Sequence, residues 1–291
     1  MRLFAWSDLH VDHPDNLGLV AALSDRDFQD AVLVIAGDVS SSSARMIETL
    51  AVLKSKFAEV AFVPGNHDLW VNTSEPTDSL AKLHELRAAC RAAGARVEPF
   101  SCVIGIRPVR VVPLIAWYLK PEEGRGSLFI EKPGEDPDLL CWADNRRIRW
   151  PALPDNATPA AHLLGLNGRV DPASDLAGSA PRELIVTFSH FLPRMELMFH
   201  DWEGFRRHGH PHGVDPHPEF NFSRVAGCLQ LDDLLRRAKS ALHVYGHQHR
   251  NRTRLIAGVQ YVSHCLGYPA EWQEHEQRPT RCLPLELTLD G

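Results

Sequence analysis

An α/β fold built on a mostly parallel sheet is predicted by three features of this 291-residue sequence. Short apolar runs alternate with amphipathic stretches through its first third, the rhythm of successive βαβ units. The run Ala31–Ala36 is apolar at every position and rich in Val and Ile, as a strand covered on both faces must be. Polar side chains able to hold metal recur just after such runs, at the edge where open α/β sheets build their sites.

The elements follow in order. Arg2–Trp6 reads as a strand, 17–28 has apolar residues at helical spacing, and Ala31–Ala36 is the second strand. A helix over 44–56 precedes a strand at Glu59–Val63, and a helix over 79–93 stops at Gly94. The rhythm then changes. Two adjacent strands, 101–106 and 109–115, are expected around a turn near Arg107-Pro108. Stretches near 120–137, 150–182 and 200–220 are rich in Gly, Pro and polar residues and read as loop excursions. Order resumes with a strand over 183–188, an amphipathic helix over 228–239 and a strand over 241–245. Strand-like segments at 254–257, 260–263 and 283–289 close the chain. Neither an internal repeat nor an inter-domain linker is evident, so residues 1–291 are expected to form one domain.

Composition narrows the function classes. A hydrophobic fraction of 44% with 23% charged residues permits a sizeable core. The formal net charge of −6, with Lys and Arg scattered, argues against a protein living on nucleic-acid backbones. It leaves room for a nuclease with a small basic groove. The six cysteines, at 90, 102, 141, 228, 265 and 282, include no C-x-x-C pair and read as reduced thiols. The N-terminus turns polar at Ser7-Asp8, and no apolar run approaches the roughly 20 residues that span a bilayer. A soluble, cytoplasmic protein without membrane contact is expected.

Five short motifs carry the chemistry: Asp8-Leu9-His10, Gly37-Asp38, Gly65-Asn66-His67-Asp68, Ser189-His190 and Gly246-His247-Gln248-His249. Each alone has a structural explanation, as a turn, a cap or a satisfied core histidine. Their conjunction, each after an apolar run, points to one pocket at the carboxyl ends of parallel strands. Carboxylate, imidazole and amide oxygen together suit Mn, Fe or Zn, and no thiolate takes part. Asp8 and His10 can turn toward one ion, and Asp38 can bridge two through its two oxygens. Gly37, Gly65 and Gly246 are expected to permit the sharp turn that a ligand after a buried strand needs.

As a set, these motifs resemble the calcineurin-like metallophosphoesterase superfamily. The resemblance implies a four-layer αββα sandwich of two mixed β-sheets. It implies two divalent or trivalent ions (Mn, Fe or Zn), one held by Asp8, His10, Asp38 and His249, the other by Asp38, Asn66, His190 and His247. His67 would stand beside the leaving group, oriented by Asp68. The expected function is hydrolysis of a small phosphodiester or phosphomonoester by a metal-bridging hydroxide, with His67 protonating the leaving group. A nuclease is the alternative. A non-catalytic interaction scaffold of the same fold is disfavoured, because the ligand positions are kept.

Substrate contacts are expected from Trp117 and Tyr118 as an aromatic rim, with Trp70 beyond the third motif, and from Arg194, Arg250 and Arg252 toward phosphate. The basic-aromatic run 142–151 is either a phosphate or base contact or a helix packing its Trp residues. His13 reads as a solvated loop histidine before a substrate contact, and His264 either supports the ligands from behind or is simply core. The histidine-rich stretch 200–217 is expected to be an irregular substrate-facing loop, or else a surface loop with no role, rather than a third metal site, because its Gly and Pro residues disfavour regular structure.

Overall fold

A computed structural model describes residues 1–72, 77–168, 183–209, 217–273 and 282–289. The first part of the chain runs β1 (Arg2–Trp6), α1 (Pro14–Ala21), β2 (Ala31–Ala36), α2 (Ser43–Lys56), β3 (Glu59–Val63) and α3 (Ser79–Ala92). Then come β4 (Phe100–Ile104), β5 (Arg107–Pro113), the short helices α4 (Asp144–Arg147) and α5 (Pro159–Gly165), β6 (Leu184–Phe188) and α6 (Trp202–His208). The order ends α7 (Leu229–Arg237), β7 (Leu242–Tyr245), β8 (Arg252–Ile256), β9 (Val259–Ser263), α8 (Pro269–Gln273) and β10 (Leu285–Glu286).

These strands make two mixed sheets, in the orders β10-β1-β2-β3 and β4-β5-β6-β7-β9-β8. Within the first, β1, β2 and β3 are parallel, and within the second so are β5, β6, β7 and β9. The antiparallel strands β10, β4 and β8 sit at the edges. The sheets face each other, β2 toward β7 and β3 toward β5, while α1, α2 and α3 pack side by side, α2 against β3 of the first sheet. All six residues of β2 are buried, which its unbroken apolar run requires. Trp6, Leu33, Ile35, Phe188, Tyr245 and Tyr261 fill the interior.

Several sequence expectations move. The helix expected over 17–28 is Pro14–Ala21, started by Pro14, whose missing N–H costs nothing in a first turn. It cannot run on to 28, because the Ser24 hydroxyl takes the N–H groups of Arg26 and Asp27 into a turn. Gly105, at φ +59°, makes the β4–β5 turn, and Pro108 lies inside β5 opposite Val103. The excursion 150–182 contains α5, whose Thr158 hydroxyl caps the Ala161 N–H at 3.2 Å. The stretch 200–217 is not wholly irregular. Asp201 caps the Gly204 N–H at 2.8 Å and Phe205 stacks on Phe199 at 4.0 Å, so a helix forms despite Gly204. His210 and His212 lie outside the described residues. All six cysteines are free thiols, three of them buried. Among the described residues, no helix is long and apolar enough to cross a membrane.

One buried polar group makes a stability prediction. His243 on β7 is fully buried between two hydroxyls, Thr187 Oγ1 at 2.7 Å and Ser189 Oγ at 3.1 Å. Burial holds its pKa down, to about 3. The unfolded chain takes up this proton near pH 6.5 and the folded chain does not, so stability falls as pH drops from about 6.5 toward 3. The expected contribution is up to about 1.4 kcal/mol per pH unit. Denaturation of His243→Asn, compared with the parent from pH 7 to 4, should show a shallower slope. Parallel slopes would sink this assignment.

Candidate metal centre

The five motifs leave β1, β2, β3, β6 and β7, and therefore meet where the carboxyl ends of both sheets come together. Hydrogen bonds stitch that edge. The Ser7 N–H donates to His264 O at 2.9 Å, the His247 N–H to the Asp8 carboxylate at 3.0 Å, and His190 Nδ1 to Ala36 O at 2.9 Å. The last contact turns His190 Nε2 inward.

Ligand-capable atoms of Asp8, His10 and His249 all lie within 4.8 Å of one another, and so do those of Asp38, His190 and His247. His10 Nε2 and His249 Nε2 are 3.0 Å apart. His190 Nε2 stands 3.1 Å from His247 Nδ1 and 3.1 Å from Asn66 Oδ1. Nitrogens at such distances repel unless a proton or a cation lies between them. The donor set is carboxylate, imidazole and amide oxygen, and it fits divalent cations of the Mn, Fe and Zn kind. Among the described residues, none from the 200–217 stretch joins such a group. His67 belongs to a third group, with His10 and Asp38.

The backbone shows how tightly the cluster is held. Asp8, His10, Asp38, His247 and His249 all have φ between +42° and +74°, a region that costs a non-glycine residue free energy. Strain of this kind persists where the surrounding structure overrides it, and it gathers at functional sites. Gly37 makes its turn with φ +80°. Gly65 and Gly246 are needed for a different reason than the expected turn. A Cβ at Gly65 would lie 2.2 Å from Asp38 Oδ1, and one at Gly246 2.7 Å from Asp8 Oδ2. Each glycine thus lets a second motif approach a carboxylate of the first two.

Electrostatics follow from burial and opposed charge. Burial alone would raise Asp8, but His249 outweighs it and holds the carboxyl near about 2. Asp38 likewise resists its burial because of His190 and His67, and stays well below the usual carboxylate range. Burial would lower His190 and His249, yet Asp38 lifts the first to about 9 and Asp8 the second to about 10. His10 and His247 stay neutral, pushed down by burial and by their imidazole neighbours. Both carboxylates attract positive charge, and a cation bound beside them would displace the protons of His249 and His190.

Around this cluster the structure corrects one expectation and adds residues that the sequence reading missed. The Asp68 carboxylate does not orient His67. It accepts the N–H groups of Asp38 and Gly65 at 2.8 Å, Val39 at 2.9 Å and Ser40 at 3.0 Å, pinning the Asp38 turn to the third motif. His67 is placed instead by Trp70, which stacks on it at 3.7 Å. Its own N–H donates to Asp38 Oδ1 at 2.9 Å. Glu271 on α8 accepts from His249 Nδ1 at 2.8 Å, the carboxylate–histidine pairing that orients metal ligands. Asp144 on α4 accepts from Asn66 Nδ2 at 3.0 Å and Trp70 Nε1 at 2.6 Å, which turns the Asn66 oxygen toward His190. Tyr268 stacks on His10 at 4.5 Å. The only signal for Asp144 was its place between tryptophans in the 142–151 run, and for Glu271 and Tyr268 their position after a strand.

The expected substrate contacts fare less well. Trp117 and Tyr118 are 2% and 5% exposed and pack on Phe191 behind His190 and His247, so they form no rim. Arg194 is committed to Glu196 at 2.6 Å and Asp232 at 2.7 Å, tying α7 to the loop after β6. Arg252 donates to Leu197 O at 2.7 Å. Arg250 is exposed and makes no hydrogen bond or ion pair among the described residues. The 142–151 run packs: Trp142 on Phe220, Trp150 on Trp117, and Arg147 over Trp70. His264 is buried with Nε2 at 2.8 Å from Leu283 O, and the exposed His13 meets the edge of Tyr268.

Comparisons with known proteins bear on the family and the fold. The sequence model of the calcineurin-like phosphoesterase family matches residues 1–251. The acyl-carrier-protein phosphodiesterase PptH of Mycobacterium tuberculosis is 24% identical over 282 residues, spanning 94% of this chain and 80% of that protein. A crystal structure of phosphopantetheinyl hydrolase (PptH) from M. tuberculosis is similar with a TM-score of 0.73 at 23% identity, covering 99% of this chain and 96% of the other. A likeness at that identity speaks for the fold.

Proposed function

The chain belongs to the calcineurin-like phosphoesterase family, and from that premise we propose that it hydrolyses a phosphodiester at two divalent cations. Asp8, His10, Asp38 and His249 hold one cation, and Asp38, Asn66, His190 and His247 hold the other. The observation that carries the reading is the convergence of these seven side chains from five strand ends, Asn66 through its contact with His190, with five of them on positive-φ backbone. When bound, the cations lower the pKa of water and neutralise charge on the phosphoryl oxygens.

The chain's own residues do the remainder. Asp38, held by the Asp68-pinned turn, stands between the two groups of ligands. Asp144 and Glu271 fix the orientations of Asn66 and His249. His67 gives a proton to the departing alkoxide, which leaves poorly without one. Burial outweighs Asp38 and holds the free His67 imidazole below its ordinary pKa, so it is the arriving phosphate anion, adding to the pull of Asp38, that favours its protonated form. The relative named as an acyl-carrier-protein phosphodiesterase supports a diester as the first substrate to test, with a phosphopantetheinylated carrier protein among the candidates.

The test is a panel in which Mn, Fe and Zn are supplied separately to metal-stripped protein. Bis(p-nitrophenyl) phosphate, p-nitrophenyl phosphate and a phosphopantetheinylated carrier protein serve as substrates, the last followed by mass. Metal-dependent release from the diesters, faster than from the monoester, is expected. No hydrolysis of any diester with any metal would overturn the proposal.

A further inference from the structure

The chain leaving β9 doubles back beside the first motif and is pinned there. The Leu266 N–H donates to Ser7 O at 3.0 Å and the Gly267 N–H to Asp8 O at 2.9 Å. Asn16, fully buried, donates to both Leu9 O and Gly267 O at 2.8 Å, and accepts from Trp272 Nε1 at 3.2 Å. Residue 268 is thus fixed between the first motif and α8. The Tyr268 N–H donates at 2.8 Å to Glu271 Oε2, the same oxygen that holds His249 Nδ1.

The ring that follows is aimed at the cluster. It stacks on His10 at 4.5 Å with 28° between planes, meets His249 at 4.9 Å, and lies 6.5 Å from His67. Among the described residues its remaining ring neighbour is His13, at 5.5 Å. Yet the hydroxyl has no hydrogen-bond partner among the described residues, and the side chain is half-buried. Packing on two imidazoles needs only a phenyl ring. A phenol so rigidly held, with its donor unmatched, is suited to a group that arrives with the substrate.

That group follows from the chemistry. In phosphodiester cleavage the negative charge is carried by the two non-bridging equatorial oxygens, and fixed donors aimed at them stabilise the transition state. His67 is reserved for the leaving oxygen on the proposed reading. We propose that Tyr268 is a substrate-contacting residue whose hydroxyl donates a hydrogen bond to a non-bridging oxygen of the phosphoryl group. This rests on the phosphodiester reading above. The donor is neutral and stays in place by stacking, so its contribution needs no rearrangement on binding.

The test uses the metal-loaded full chain, with inorganic phosphate as the probe. Calorimetric titration of the parent and Tyr268→Phe should show equal metal content but phosphate affinity weakened about 10-fold, as loss of one hydrogen bond to a charged group implies. On bis(p-nitrophenyl) phosphate, kcat/KM should fall about 10- to 10²-fold. Unchanged phosphate affinity and kcat/KM would overturn the inference while leaving the phosphodiester reading intact. Loss of metal from Tyr268→Phe would also overturn it, by showing that the hydroxyl serves His10 and His249. A parent protein that binds metal but neither binds phosphate nor hydrolyses any ester would overturn both.

Discussion

Asp38→Asn is expected to lose at least one bound cation and most of the activity. Asp38 and His10 each belong to two of the metal-capable groups, and Asp38 is the one of the pair with two ligand oxygens, within reach of His10 and His67 on one side and His190 and His247 on the other. Its Oδ1 accepts the His67 N–H at 2.9 Å, so an asparagine there keeps its carbonyl oxygen on that donor. The amide NH₂ then turns toward His190 Nε2, which stands 3.4 Å from Oδ2. A donor replaces an anionic acceptor, and one negative charge leaves a site meant for about four positive ones. Metal affinity should fall by more than the roughly 10–100-fold that follows loss of an outer-shell partner. Turnover should drop on the order of 10²–10³-fold or more. Elemental analysis of the purified variant checks this. Two ions per chain at undiminished affinity, with normal turnover, would show that Asp38 does not bridge.

His67→Ala is expected to separate chemistry from metal binding. The imidazole is clamped between Trp70 at 3.7 Å and the edge of His10 at 4.8 Å, with Nε2 at 3.9 Å from Asp38 Oδ2. It is close enough to the cluster to be either a ligand or a proton donor, and the variant tells the two apart. As a proton donor, its removal leaves both cations and the fold in place. The rate on diesters with poor leaving groups should then fall roughly 10²–10⁴-fold. With p-nitrophenolate, which departs without a proton, the loss should be much smaller. Equal losses on both kinds of ester would count against proton donation, and a missing cation would make His67 a ligand.

The sequence alone was enough for the strands that carry the site and for the residues at their ends. β1, β2 and β3 are read to the residue, because a buried parallel strand is an unbroken apolar run whose ends are local events. Asp8, His10, Asp38, Asn66, His190, His247 and His249 stood out because each follows such a run, and a parallel sheet gathers those ends. The four-layer architecture and His67 were legible only through resemblance, since no periodicity in this chain specifies two facing sheets.

Tertiary structure decided what surrounds those residues. Asp144 reaches Asn66 across 78 positions, Glu271 reaches His249 across 22, and Tyr268 comes to His10 on a segment pinned by Asn16. No sequence pattern encodes such contacts, because each depends on how two separately formed segments pack. The same reason explains the misplaced residues. Trp117 and Tyr118 follow a strand just as the ligands do, but Phe191 and Trp150 close over them, so a position that reads as exposed becomes core. Asp68 sits beside His67 in sequence, yet four backbone N–H groups converge on its carboxylate and hold it facing the Asp38 turn. Local pattern determines which face a residue starts from; the groups that pack against it determine what it can touch.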